Sequence, residues 1–208
     1  MARFRIPHCR AALLLQETRG QALLEFAITL PLLVVFIVGI YDFSGAFNQK
    51  QKIAQAAQEG AIIAGAQPIN DIRSSGSSAP TNPDSLLPVV TAVFNSLVGS
   101  GVLSSGTACA PPGSVSGPGA GLAALTWTYT MSGCDSAGDN LIVTINRGWA
   151  CGNGGACSTG PPVAVGTTVT VSYPYQWQFN SMIQLLFPAS NGYSSPTVTE
   201  TATVHNQT

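Results

Sequence analysis

The chain has 208 residues, of which only 8% are charged, against roughly 25% in an ordinary soluble domain. Net charge is −1, no basic block follows residue 20, and the two histidines are His8 and His205. That balance speaks against a nucleic-acid surface and against a histidine-rich metal or catalytic centre.

The charge is unevenly placed. Residues 1–20 carry Arg3, Arg5, Arg10 and Arg19 against Glu17, a net of +3. Residues 21–208 carry Lys50, Lys52, Arg73 and Arg147 against eight acids, a net of −4. Between these regimes runs Ala22 to Tyr41, 20 residues with one charge, Glu25. As a helix it is about 30 Å long, the thickness of a bilayer's hydrocarbon. The basic flank places the N-terminus in the cytoplasm and everything after Tyr41 outside that membrane. A secretory signal would have an apolar core of about 7–15 residues ending at small side chains. Here the run is longer, and Ile40-Tyr41-Asp42-Phe43 is bulky. A retained membrane helix is expected.

Glu25 is the residue in this run that needs explaining. A carboxylate at the bilayer centre costs about 3 kcal/mol and marks function more often than not. At the fourth position of the run it could also reach the headgroups and stay hydrated. Its neighbours are Arg19-Gly20-Gln21-Ala22-Leu23-Leu24-Glu25, with glycine just before the run and an acid five residues on. This resembles the processing site of type IV prepilins and pseudopilins. The resemblance implies that a prepilin peptidase cuts after Gly20, and that the new amine on Gln21 lies near the Glu25 of a neighbouring subunit. A buried carboxylate needs a cation of this kind.

Further motifs narrow the resemblance. Glu25-Phe-Ala-Ile-Thr-Leu-Pro31, Gly39-Ile-Tyr-Asp42 and Ala56-Ala-Gln-Glu59-Gly-Ala61 are similar to the N-terminal region of TadE-like proteins, minor pseudopilins of the Tad (Flp) type IVb pilus system. The likeness is dense over residues 19–66 and faint again around Val169 to Tyr175. It implies a structural or assembly subunit rather than an enzyme. Its implied partners are membrane lipid, other pilus or pseudopilin subunits, Tad assembly-platform proteins and the prepilin peptidase, with no nucleic acid and no cofactor. The implied place is the bacterial inner membrane, with residues 1–20 as a cytoplasmic leader, 21–66 as the spanning helix and its extension, and 67–208 as a periplasmic α+β domain. The other class of function that fits is an unprocessed, membrane-anchored adhesion or binding module.

Past Tyr41 the helix should continue. Phe43, Phe47, Ile53, Ala54, Ala57, Ala61 and Ala64 recur at helical spacing among polar residues. Gly65 and Pro68 mark its end, and Pro31 should kink or locally unravel it. Residues 74–85 read as an exposed linker. Leu86 to Val98 suits a short helix capped by Asp84 or Ser85, with Pro88 in its first turn and Gly99 at its end. Residues 104–121 are Ser/Gly/Pro-rich loop. Leu125–Met131, Asn140–Arg147, Val163–Tyr173 and Val198–Val204 alternate or are β-branched and read as four strands. Gln178 to Phe187 reads as a short helix or docked loop. A sheet with one polar face needs an apolar cover, which the two helices supply.

Cys9 lies in the leader, and Cys109, Cys134, Cys151 and Cys157 follow the apolar run. An even set on an oxidising side suggests two disulfides, for which Cys109–Cys134 and Cys151–Cys157 are the favoured pairing of three. Their spacing matches no usual zinc pair. No Gly-x-Ser-x-Gly elbow and no phosphate loop occurs. Asp135 and Asp139 suggest a polar turn before a cation site. Trp127, Tyr129, Trp149, Tyr173, Tyr175 and Trp177 form either a carbohydrate-facing strip or, through alternation, core.

Overall fold

The computed structural model describes residues 11–72, 81–103, 108–118, 125–135, 138–148, 166–179 and 194–207. The chain divides after Ser44, and residues 45–208 form one compact α+β unit. Helix α1 runs from Ala11 to Ala66. It passes through Pro31 without interruption, so the unravelling expected there is not seen. Proline removes one hydrogen bond, and the apolar turns on either side keep the rest of the ladder.

Helix α2 spans Leu87–Gly99. Neither Asp84 nor Ser85 caps it; Leu86 is the N-cap and makes no side-chain cap bond. Ser85 instead donates its backbone N–H to Asp71 Oδ2 at 2.8 Å. Pro88 occupies the first turn, where a missing N–H is harmless. The stop signal is Gly101 rather than Gly99. Gly101 takes φ +71°, Gly101 N–H donates to Val98 O and Val102 N–H to Leu97 O. That is a Schellman ending, which favours glycine because an L side chain is strained at positive φ. Of the described residues of the expected linker, Thr81, Asn82 and Asp84 are exposed, while Pro83 and Ser85 are buried.

The described residues hold an antiparallel sheet of five strands, the four expected and one more. They are β1 (Ser114–Ser116), β2 (Thr126–Met131), β3 (Leu141–Asn146), β4 (Gly166–Pro174) and β5 (Thr197–His205). All neighbours are antiparallel in the order β1-β2-β3-β4-β5. The unexpected strand β1 lies in the Ser/Gly/Pro-rich segment. Three residues have too little pattern to be read locally, and pairing with Thr128–Thr130 makes the strand.

One face of the sheet is apolar. Trp127, Tyr129, Leu141, Val143, Ile145, Val169 and Val171 are fully buried there. Ile53, Ala56, Ala57, Ala61 and Ala64 of α1, with Val89, Val90, Val93 and Leu97 of α2, cover it. The contact is close because α1 presents small residues. A Cβ at Gly60 would lie 2.5 Å from Val93 Cγ2 and 3.4 Å from Val169 Cγ1. Phe43 and Phe47, expected on the packed stripe, are 60% and 64% exposed. The opposite face of the sheet is lined with hydroxyls. Thr128–Thr144, Thr168–Thr203, Thr170–Thr201 and Ser172–Thr199 pair across strands at 2.9–3.3 Å.

Candidate functional site

Helix α1 contains a stretch long and apolar enough to cross a membrane. Its large side chains are exposed: Leu23 is 71% exposed, Phe36 65% and Ile40 70%. Leaving this much aliphatic and aromatic surface in water opposes folding at about 25 cal/mol per Å². Hydrocarbon removes that penalty, and a helix satisfies its own backbone there. An open apolar groove between Val35, Phe36, Gly39, Ile40 and Phe43 marks the surface of the run.

At the start of the run, Gly20 and Gln21 are both helical and exposed. A Cβ at Gly20 would meet nothing within 4 Å, so the glycine is not required by packing. Gln21 Nε2 donates to Glu25 Oε1 at 3.4 Å, one helical turn away. Thr29 Oγ1 donates back to Glu25 O at 2.9 Å and lies 3.3 Å from Phe26 O. The Glu25 carboxylate thus meets a neutral amide, and among the described residues no cation reaches it. A glycine inside a helix costs about 1 kcal/mol relative to alanine, which makes Gly20 the turn most easily opened in this stretch.

The far end of α1 is tied to the sheet by a residue that sequence reading treated only as a charge. Arg147, just after β3, is fully buried. It donates from Nη2 to Gln67 O at 2.9 Å and from Nη1 to Pro68 O at 3.4 Å. These carbonyls follow the helix end, where a cation is favoured by the helix dipole. Burial lowers the Arg147 pKa and the Asp71 charge opposes that shift. Asp71 also adds to the rise of Tyr129, whose phenol is pushed up to about 12, chiefly by burial. Tyr129 donates its hydroxyl to Asn82 Oδ1 at 3.1 Å. The only sequence signal for Arg147 was its solitude, a lone cation at the end of an apolar strand.

Cys109 and Cys134 are joined by a disulfide with Cα atoms 4.6 Å apart. It fixes the segment before β1 to the end of β2. Cys9, Cys151 and Cys157 lie outside the described residues, as do Trp149, His8 and residues 180–187 of the expected short helix.

Asp135 and Asp139 form a turn closed largely by its own backbone. Asp139 N–H donates to Asp135 Oδ1 at 2.9 Å, Gly138 N–H to Asp135 O, and Cys134 N–H to Asp139 O. Gln176 Nε2 donates to both carboxylates, at 3.1 and 2.6 Å. The neighbouring Tyr173 phenol is raised by burial, by the charges of Asp135 and Asp139, and by its hydrogen bond to Asp135. Among the described residues no three His, Cys, Asp or Glu side chains gather as metal ligands. Of the described aromatics, Trp127, Tyr129, Tyr173 and Tyr175 are buried and belong to the core rather than to a surface strip. Trp177 stacks edge-on to Tyr175 at 5.2 Å and donates Nε1–H to Ser194 O. His205 belongs to β5, opposite Gly166, rather than to a polar tail.

No curated protein and no solved structure matches the chain. A family model does, that of TadE-like protein, over residues 20–61. The matched residues, Gly20 and Glu25 through Pro31 and Asp42 to Ala61, all lie on α1, and over this stretch, about a fifth of its length, the chain is similar to TadE-like proteins.

Proposed function

We propose that the chain is a minor pseudopilin of a type IVb (Tad/Flp) pilus, a structural subunit held in the inner membrane by the apolar run Ala22–Tyr41, residues 21–66 being that spanning helix and its extracytoplasmic extension. A TadE-like segment on a membrane-length helix fits a membrane-anchored subunit of the Tad pilus. In this reading residues 1–20 stay in the cytoplasm and are removed by a prepilin peptidase after Gly20. The domain that follows faces the periplasm. The observation carrying the reading is a coincidence of position: the family match opens at Gly20, and Glu25 follows five residues on. Cutting there would place a new ammonium on Gln21, to meet the Glu25 of a neighbouring subunit, an acid whose described partner within its own chain is a neutral amide. An ammonium in that place offsets the cost of carrying Glu25 into hydrocarbon.

Partners follow from the same chemistry. The exposed faces of α1 take lipid and the apolar helices of other pilus or pseudopilin subunits, with Tad assembly-platform proteins beyond them. Intact-mass measurement on protein extracted from membranes tests the processing. The expected mass lacks residues 1–20; a polypeptide that still begins at Met1 refutes it. Replacing Glu25 by Ala should leave stable protein in the membrane and abolish pili, whereas unchanged piliation would remove the role given to that acid.

One observation favours the unprocessed anchor and binding module. The helix is continuous across Gly20–Gln21, and a peptidase works on extended backbone. The mass measurement separates the two readings.

A further inference from the structure

We infer that the end of α1 holds an internal water molecule, bound between Arg147, Asp71 and Ser85. Asp71 Oδ1, Ser85 Oγ and Arg147 Nε are sealed from solvent and have no hydrogen-bond partner in the protein. Among the described residues no other side-chain nitrogen or oxygen is in this state. The three come from separate parts of the chain: the turn after α1, the turn before α2 and the end of β3. Folded proteins rarely leave a buried polar group unpaired, because a dry donor or acceptor costs more than an ordinary hydrogen bond gains.

The bonds already made bring the three residues together. Ser85 N–H donates to Asp71 Oδ2 at 2.8 Å, which holds Ser85 against that carboxylate. Arg147 donates from Nη2 to Gln67 O and from Nη1 to Pro68 O, at the start of the turn that carries Asp71. Ile72 N–H closes this turn on Ile69 O. Burial lowers the Arg147 pKa, and Asp71 is near enough for its charge to oppose the shift. Even so the two make no ion pair; among the described residues only Lys50 and Glu200 do. Tyr129, the other group that feels the charge of Asp71, spends its hydroxyl on Asn82 Oδ1. Carboxylate and guanidinium are thus close without touching.

The chemistry of these atoms selects the occupant. A guanidinium N–H only donates, a carboxylate oxygen only accepts, and a hydroxyl does both. Arg147 repels a cation and Asp71 an anion. A neutral molecule that both gives and takes hydrogen bonds suits all three. One water does so: it accepts from Arg147 Nε, donates to Asp71 Oδ1, and exchanges a bond with Ser85 Oγ. Internal waters make about three bonds of this kind. Such a water ties the end of α1, the entry to α2 and the sheet at one point.

Nuclear magnetic resonance on full-length protein in detergent micelles tests the site at the Arg147 Nε–H, assigned through bonds from its own backbone. The expected signal is a cross-peak to water whose sign is opposite in laboratory-frame and rotating-frame spectra, the mark of a bound molecule and not of proton exchange. Ser85→Ala removes one of about three partners and should weaken the cross-peak about two-fold or more. Asp71→Leu, with near-ultraviolet circular dichroism to check folding, should abolish it; Ser85→Ala serves alone if that variant does not fold. Ser114→Ala, in the edge strand β1, should leave it unchanged. A cross-peak of equal sign would show that bulk solvent reaches the guanidinium, and a missing one that no water sits there. A scalar coupling from Nε across a hydrogen bond to a protein carbonyl or carboxylate would show a direct partner. Each of these results overturns the inference, as does a cross-peak that the Ser85 and Asp71 variants leave unmoved. None of these outcomes depends on cleavage after Gly20.

Discussion

Residues 20–41 and 45–66 belong to one helix, yet they are built for different surroundings. In the first stretch the large residues point out: Leu24 is 63% exposed, Phe26 61% and Ile37 57%. In the second, small residues point in: Ala56, Ala57 and Ala64 are fully buried, and Gly60 leaves no room for a methyl group beside Val93. Large apolar side chains maximise burial where the surroundings are fluid and conform to them. Small ones are needed where a sheet and a second helix, already fixed in shape, must come close. The difference lies in packing, since both stretches are helical and both are largely uncharged.

The comparison breaks most readily at Arg147. Replacing it with Ala leaves the carbonyls of Gln67 and Pro68 and the Asp71 carboxylate without their cation. The expected loss is about 3–5 kcal/mol, read by denaturant unfolding of the purified protein. A loss below about 1 kcal/mol would mean that water replaces the guanidinium and that the end of α1 is held by apolar packing alone. Next comes the disulfide. Exchanging Cys109 and Cys134 together for Ser opens a loop with a sequence separation of 25. The expected cost is about 3–4 kcal/mol in the same measurement, matched by adding reductant to the native chain. The smallest effect on stability belongs to the other stretch. Val35→Glu should change unfolding of the α+β unit by less than about 0.5 kcal/mol. It should still release the protein from carbonate-washed membranes. A large change in unfolding would show that the apolar run contributes to the folded unit, and the contrast between the two stretches would fail.

Much of the architecture was legible because it rests on periodicity. Strict alternation in Thr126–Met131 and Thr197–Val204 located two strands to within a residue or two, and the apolar run located the helix. The failures share a cause. Phe43 and Phe47 fit the helical stripe by spacing, but spacing does not tell where along the helix the packed surface begins, and the first fully buried residue of the stripe is Ile53. Strand β1 has only Ser-Val-Ser, and its conformation is imposed by β2. Gly99 and Gly101 look alike in sequence, and the one that takes positive φ depends on where Val102 finds Leu97. Asp84 and Ser85 are good caps, yet Asp71 takes the Ser85 N–H across a loop.

At the N-terminus, Gly20, Gln21 and Glu25 could be read from sequence because their meaning lies in order along the chain: a basic flank, a glycine, then an acid inside an apolar run. Hydrophobicity and charge are local properties, so sequence alone determined the membrane-length helix, the α+β class and the resemblance carried by residues 19–66. Long-range contact decided the rest. Only the fold shows that Arg147 closes the end of α1, that four of the aromatics are core, and that Ser114–Ser116 adds a strand to the sheet. These depend on which surfaces meet, and that is settled when the helices and the sheet pack together.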